Sequence, residues 1–207
     1  MPVVAIRMFR NEGNRTAEQL NDLVRKALVP QLMAVPGARR YFALHFEDGR
    51  VGSHTGFEDR TGLGRAEALA REWGASTELG LVPDNAYSGN VFHLSYGADR
   101  NITQRGYAIR LYQVSSAIPE LKAAADAGAK RRTVDTFPGL VWMSMLDLTG
   151  GQVAVLSGFD TLDNARLSHR RVEDFRTKGE TAMSKILHQP PSQSLTARVI
   201  ELYTARG

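Results

Sequence analysis

The chain of 207 residues contains no cysteine. This absence excludes disulfides, thiolate metal sites, CxxC redox motifs and a cysteine nucleophile. No apolar run approaches the roughly 20 residues that a membrane-spanning helix requires, so no membrane partner is expected. Residues 1–7 have no charged leader ahead of an apolar stretch, which predicts no signal peptide. The expected location is therefore the cytoplasm.

Several motifs that mark common enzyme classes are also missing. No GxGxxG follows a predicted strand, and there is no phosphate-binding P-loop, GxSxG nucleophile elbow or HExxH zinc motif. The five histidines do not have metal-ligand spacing, so no metal site is expected. We expect no cofactor. Haem is the alternative because it needs only one axial histidine, which His45, His54 or His93 could supply.

The charge of the chain is basic but dispersed. There are 26 lysines and arginines against 22 acidic residues, which gives a net charge of +4. Most of the basic residues are arginines spread along the whole chain. Binding to a nucleic-acid backbone requires a clustered basic patch. We therefore expect a small-molecule ligand and no nucleic-acid partner.

The two halves of the sequence repeat one pattern at an offset of about 102 residues. Matching segments that occur in the same order indicate a tandem duplication. We predict a first repeat over 1–97, a linker over 98–105 and a second repeat over 106–207. The segments that carry the repeat are 5–9 with 108–112, Pro36-Gly37 with Pro138-Gly139, 48–51 with 150–153, and 55–58 with 157–160.

Each repeat reads as β-α-β-β-α-β. Thr16 and Gln19 have capping-box spacing, which predicts a helix start, and Asp48-Gly49 predicts a tight hairpin. This order is that of a ferredoxin-like unit, which has both helices on one face of an antiparallel sheet. The predicted strands are 3–9, 41–47, 50–57 and 90–95, then 107–113, 141–148, 152–159 and 196–203. The predicted helices begin at Thr16 and Pro119 and cover 63–73 and 162–187, the last one broken near Gly179.

The bare sheet face of each unit predicts how the repeats are arranged. A sheet face without helices needs cover, and two copies can cover each other. We therefore predict an α+β fold of two tandem ferredoxin-like units. Their antiparallel sheets are expected to pack face to face as a pseudo-twofold α/β barrel, with the helices outside and a cavity between the sheets.

The order of elements also resembles a known family. The Pro-Gly pairs, the strand hairpins, and Gly-Phe-Glu-Asp at 56–59 or Gly-Phe-Asp-Thr at 158–161 opening a helix resemble the dimeric α/β-barrel superfamily. Within it, the chain is most similar to antibiotic-biosynthesis-monooxygenase-like domains, here as a fused tandem pair. Because single-domain members dimerise, the resemblance implies a monomer or a homodimer of fused pairs.

Strand alternation predicts which side chains enter the cavity. The purely apolar face of the first strand, with Ile6 and Met8, is assigned to the helices, and the face that carries Arg7 is assigned to the space between the sheets. The repeat places His93 opposite Glu201 in the alignment, so the two halves would contribute an imidazole and a carboxylate. The candidate catalytic residues are His93, Glu201 and His54, and the candidate substrate-binding residues are Arg7, Arg110, Tyr41, Tyr112, His45 and Trp142.

Three functions remain open. The resemblance implies a cofactor-independent monooxygenase-like enzyme that acts on a small aromatic or polyketide-like molecule. In that hypothesis, Arg7 and Arg110 hold an anion, and His93 or His54 moves a proton with help from Glu201. The second is a non-catalytic small-molecule-binding or stress-response barrel, in which Arg110 and Glu201 form a purely structural ion pair. The third is a haem-binding barrel.

Overall fold

The computed structural model describes residues 1–97, 103–131, 137–179 and 189–204. Residues 98–102 of the predicted linker and 180–187 of the predicted last helix lie outside this range. The strands are β1 (Val3–Asn11), β2 (Ala38–Phe46), β3 (Val51–Phe57), β4 (Leu81–Tyr96), β5 (Gly106–Gln113), β6 (Leu140–Asp147), β7 (Gln152–Phe159) and β8 (Gln193–Thr204). The helices are α1 (Ala17–Ala27), α2 (Val29–Ala34), α3 (Arg60–Ser76), α4 (Ile118–Arg131) and α5 (Leu162–Lys178).

The chain forms two compact units. Unit 1 comprises Met1–Asn90 and the end of the chain from Val199, and unit 2 comprises Val91–Arg198. The strand order is β4-β1-β3-β2-β8 in unit 1 and β8-β5-β7-β6-β4 in unit 2. β1 pairs antiparallel with β3 and β4, as β5 does with β7 and β8. The predicted α+β class and the two ferredoxin-like units are confirmed.

The last strand of each repeat is shared between the units. The first part of β4, up to Asn90, pairs with β1, and its remainder belongs to unit 2. In the same way, residues 193–198 of β8 pair with β5, and the strand then continues into unit 1. Each compact unit therefore consists of one repeat up to the middle of its last strand, completed by the second half of the other repeat's last strand.

Local sequence signals account for the boundaries of several elements. The Thr16 Oγ1 atom accepts a hydrogen bond from the Gln19 backbone N–H, and the Gln19 side chain accepts one from Thr16 N–H, so the predicted capping box is confirmed. The predicted hairpin turns at Gly49, which has a φ of +87° that other residues rarely adopt. Gly179, with a φ of +64°, ends α5.

Two features differ from the sequence prediction. β4 begins at Leu81, nine residues before the predicted start at Asn90. Pro83 and Asp84 are unfavourable in a strand, but a register shift opposite Met8 and Phe9 accommodates them. The first helix, which the sequence predicts as one helix from Thr16 up to the Pro36-Gly37 pair, is divided at Leu28 into α1 and the short α2. Pro30 accounts for the division, because proline is tolerated only in a first helical turn.

The assignment of the sheet faces is wrong and has to be reversed. In unit 1, Ala5 and Tyr41 pack in one cluster with Leu28 of the α1–α2 junction and Leu63 of α3, so the face that also carries Arg7 meets the helices. The face with Ile6 and Met8 is the one turned away from them. Both faces are buried, so apolar character alone could not distinguish them.

In unit 2 as well, the sheet face that carries the arginine meets the helices. Tyr112 packs in one cluster with Leu121 and Ala125 of α4, so the face that carries Arg110 also meets the helices. Within the described residues, no helix is both long enough and apolar enough to span a bilayer.

Candidate functional site

A cavity of about 830 Å³ lies inside unit 1. Its floor is the helix-facing side of the sheet, and α1, α2 and α3 form the opposite wall. This is not the predicted space between two sheets, because the side chains of Arg7 and Tyr41 point towards the helices. The volume is in the range of small-molecule sites. Apolar residues from both walls dominate the lining, among them Phe9, Leu20, Val24, Leu32, Trp73 and Ile200.

A charged pair stands in the wall of this cavity. The Arg7 guanidinium on β1 donates a hydrogen bond to the Glu67 carboxylate on α3. Both residues line the cavity, and both side chains are partly exposed. The arrangement offers a cation that can hold an anion and a carboxylate that can accept a proton.

A second polar group lies on α1. The Asn21 Nδ2 atom donates to Glu201 Oε2 on β8 over 2.8 Å, and Arg25 Nε lies 3.8 Å from the same oxygen. Asn21 lines the cavity, whereas Glu201 does not and acts on it through Asn21. The predicted catalytic residue Glu201 therefore does not line the cavity but contacts a residue, Asn21, that does.

Two tyrosines lie next to this group. The rings of Tyr41 on β2 and Tyr203 on β8 are 6.1 Å apart. Burial, above all, raises the pKa of Tyr41, and burial followed by the neighbouring Glu201 carboxylate raises that of Tyr203. Tyr41 lines the cavity as a neutral phenol. The predicted binding residues Arg7 and Tyr41 thus share one cavity.

Arg110 and Tyr112 occupy the corresponding face of unit 2. The Arg110 guanidinium donates to the Ser168 hydroxyl on α5, and burial lowers its pKa to about 10. Burial also raises the pKa of Tyr112. The predicted ion pair of Arg110 with Glu201 is wrong, since each has its hydrogen-bond partner within its own unit.

The two arginines, which the repeat pattern aligns, have different partners. Glu67, the partner of Arg7, aligns in the second repeat with His169 at an offset of 102 residues. The His169 Nε2 atom lies 3.0 Å from the Thr196 hydroxyl on β8. In the part of the chain that the structure describes, Arg110 therefore has a hydroxyl partner where Arg7 has a carboxylate.

The predicted histidines are not in the unit 1 cavity. His54 on β3 is fully buried on the sheet face turned away from the helices, with its ring 4.7 Å from that of Phe42 in an edge contact. Burial, followed by the charge of Arg40, lowers the pKa of His54 well below its usual value. Because Ile6, and not Arg7, is the β1 neighbour opposite His54, the prediction that Arg7 and His54 share a cavity is wrong.

The remaining predicted residues are engaged elsewhere. His93 belongs to unit 2, where its Nδ1 atom lies 2.8 Å from Asp126 Oδ1 on α4. The Trp142 indole N–H donates to Gln104 Oε1 over 2.6 Å, and its ring meets Tyr107 edge-on. His45 on β2 is half-buried and does not line the cavity.

Glu67 and Asn21 are among the polar residues of the cavity that sequence reasoning missed. Neither residue was singled out, although Asn21 interrupts the apolar face of α1 between Leu20 and Val24. An uncharged polar residue on a buried helix face is the signal that could have identified it. Glu67 carries no comparable signal, since glutamate is common on exposed helix surfaces.

Haem does not fit this cavity. Haem iron is usually held by histidine, cysteinate, methionine with histidine, or tyrosinate. No histidine among the described residues lines the cavity, and burial keeps Tyr41 from the anionic form that an iron ligand requires. Within the described residues, no group of three or more histidine and acidic side chains could hold a metal ion either.

The comparisons with known proteins support the fold. No family model and no curated protein matches the chain. A candidate monooxygenase from Fusobacterium nucleatum is 14% identical with a TM-score of 0.63, covering 100% of this chain and 95% of its own. At this identity the likeness shows that the two chains share a fold. The resemblance seen in the sequence is therefore confirmed at the level of the fold.

Two further structures show the functional range of this fold. An anthrone oxidase-like protein is 12% identical with a TM-score of 0.62, and the match covers 100% of this chain and 94% of that one. A chlorite dismutase variant from Candidatus Nitrospira defluvii is 10% identical with a TM-score of 0.61, covering 97% of this chain and 91% of that one. At these identities, the function must be argued from the site itself.

Proposed function

We propose that this chain is a monooxygenase-like enzyme that oxidises a small planar aromatic molecule in the unit 1 cavity without a cofactor. The observation that carries the proposal is the apolar cavity of about 830 Å³ with the Arg7–Glu67 pair in its wall. Aromatic rings suit the apolar lining, which includes Phe9 and Trp73. The likeness to an anthrone oxidase-like protein supports the same substrate class.

The pair supplies the two groups that such chemistry requires. Glu67 removes a proton from an acidic C–H or O–H of the substrate, and Arg7 holds the resulting enolate or phenolate. The electron-rich anion then reacts with molecular oxygen. For anthrone, one oxygen atom enters the ring carbon, and the other leaves as water with the two hydrogens of that carbon, giving anthraquinone. The substrate is thus its own reductant.

This proposal keeps two of the predicted residues and changes the base. Arg7 and Tyr41 line the cavity as binding groups, and Glu67 takes the proton-transfer role that the sequence assigned to histidine. The roles that the sequence predicts for His93, Arg110, Tyr112 and Trp142 stay predictions. The predicted monomer or homodimer of fused pairs also remains a prediction.

The test is oxygen consumption by the purified protein with anthrone. We expect one molecule of O2 to be consumed for each molecule of anthraquinone formed, and no loss of activity after dialysis against a chelator. Glu67→Gln should lower the rate by roughly 10²-fold or more, as loss of a general base does. Arg7→Met removes the group that holds the anion and should also lower the rate. Its matched control Arg39→Met should not, because Arg39 pairs with Glu58 on the exposed surface. Equal rates for wild type and Glu67→Gln would contradict the proposal.

The second candidate is a non-catalytic binding protein. It is favoured by the fact that Arg7 and Glu67 already neutralise each other without a ligand. In that case aromatic molecules bind in the cavity, but oxygen uptake does not exceed the buffer rate. The oxygen measurement therefore distinguishes the two functions.

A further inference from the structure

Asn21 is a polar residue in an otherwise apolar part of the cavity wall. It lies on α1 next to Leu20 and one turn before Val24, and all three line the cavity. Only 8% of its surface is exposed. A buried side-chain amide normally has partners for both its nitrogen and its oxygen.

The orientation of the Asn21 amide is set by its neighbour. Glu201 is a carboxylate that can only accept hydrogen bonds, so the atom of Asn21 that lies 2.8 Å away must be the nitrogen. Arg25, whose Nε lies 3.8 Å from the same carboxylate oxygen, is consistent with an ionised Glu201. The Oδ1 atom of Asn21 is consequently turned away from Glu201. That oxygen is buried and, among the residues that the structure describes, has no hydrogen-bond partner.

An unsatisfied buried acceptor costs free energy, and a donor on a bound molecule would recover it. We propose that Asn21 Oδ1 accepts a hydrogen bond from a hydroxyl or amine of the ligand. The cavity then selects aromatic molecules that carry such a donor over the same ring without one. Glu201 is a positioning residue, since it orients Asn21 without lining the cavity.

This inference rests on the proposed function only in requiring that an aromatic molecule occupies the cavity. It does not depend on oxidation. Arg7 and Glu67 serve the reacting anion on β1 and α3, whereas Asn21 recognises a donor from α1. Binding selectivity and oxygen uptake can therefore be measured and can fail separately.

The experiment is equilibrium dialysis of the full chain with three probes. The first is 2-naphthol, which has a hydroxyl donor, the second is 2-methoxynaphthalene, which can only accept, and the third is naphthalene. We expect wild type to bind 2-naphthol at least about tenfold more tightly than the other two, a difference of about 1.4 kcal/mol. Asn21→Leu should abolish this preference while still binding naphthalene. Asn14→Leu, in an exposed loop, is the matched control.

The positioning role of Glu201 has its own readout. In Glu201→Leu, the amide of Asn21 is free to turn its nitrogen towards the cavity. We therefore expect the preference to shift from 2-naphthol towards 2-methoxynaphthalene. Glu201→Gln can keep an acceptor oxygen towards Asn21 and should restore the wild-type preference. A purely structural role would weaken the binding of all three probes to the same extent. Thermal melting of each variant checks that it is folded.

The outcomes separate the two proposals. A donor preference that Asn21→Leu removes supports the inference, whether or not oxygen is consumed. Equal affinity of wild type for 2-naphthol and 2-methoxynaphthalene overturns it but leaves the cavity as a binding site. An unchanged preference in Asn21→Leu overturns it as well. If none of the probes binds, both the inference and the proposed aromatic site are contradicted.

Discussion

Replacing Arg110 with methionine should stabilise the protein. Arg110 is 2% exposed, and in the described residues its guanidinium has the Ser168 hydroxyl as its hydrogen-bond partner and no ion pair. Desolvation of a buried cation costs free energy, and little of that cost is offset when no carboxylate pairs with the cation. Methionine fills a similar volume with a flexible apolar side chain, so the change removes the charge without a large cavity.

The size of the effect follows from the pKa. Burial lowers the pKa of Arg110 from 12.5 to about 10, which corresponds to about 3 kcal/mol against the charged form. Loss of the hydrogen bond to Ser168 costs about 1 kcal/mol, so the net gain is about 2 kcal/mol. Ser168 keeps its own donated bond to the Ala165 carbonyl. For a chain of this length, the melting temperature should rise by roughly 4–8 °C.

The pH dependence has a definite sign. Below pH 10 both the folded and the unfolded protein hold the Arg110 proton, so the full penalty applies. Between pH 10 and 12.5 the folded protein loses the proton first, and the wild type becomes relatively more stable as the pH rises. The advantage of Arg110→Met should therefore be constant between pH 6 and 8.

Urea unfolding at pH 7, followed by circular dichroism, measures the difference. Arg7→Met is the matched control, because Arg7 is only partly buried and pairs with Glu67. Its loss should cost between 0 and about 1 kcal/mol. If Arg110→Met is less stable than wild type by 1 kcal/mol or more, then Arg110 is compensated in the folded protein and the reasoning fails.

Three further predictions concern stability. Gly52→Ala should destabilise the protein by about 1–3 kcal/mol in urea unfolding, because a Cβ atom there would lie 2.3 Å from the Arg7 carbonyl oxygen. An unchanged urea midpoint would show that β1 and β3 can move apart to make room for it. Thr16→Ala should cost about 1 kcal/mol through loss of the α1 cap, whereas Thr16→Ser should not, as thermal melting can check. Lys122, followed by His93, lowers the pKa of Asp126. The contribution of Asp126 to the stability of the fold is therefore present above the usual aspartate pKa of about 3.9 and is lost as the pH falls through the lower pKa of the folded state. Asp126→Asn should remove this part of the acid dependence, which urea midpoints between pH 5 and 2.5 measure.

Much of the architecture was predictable because it depends on neighbours in sequence. The capping box at Thr16 and the glycine turn at Gly49 are local signals, and the repeat at an offset of about 102 residues can be read from the sequence without any structure. The β-α-β-β-α-β order then restricts each repeat to few topologies. The ferredoxin-like strand order followed from these signals and is confirmed.

The site was harder to predict because it depends on which sheet face meets the helices. Both faces of β1 are buried, so the apolar set with Ile6 and the set with Arg7 were equally compatible with helix packing. Assigning the Arg7 face of β1 to the space between the sheets placed Arg7 in one predicted cavity with His54, and it left Glu67 out of the predicted site. A single binary choice thus decided most of the predicted site.

The sequence by itself determined the order of the elements and the two residue sets of each strand, because these depend on spacing along the chain. Only the tertiary structure decided that Arg7 meets Glu67, that Glu201 orients Asn21, and that Arg110 has a hydroxyl partner. These contacts join residues 58 to 180 positions apart. Their formation depends on how the helices pack on the sheet, which no local pattern encodes.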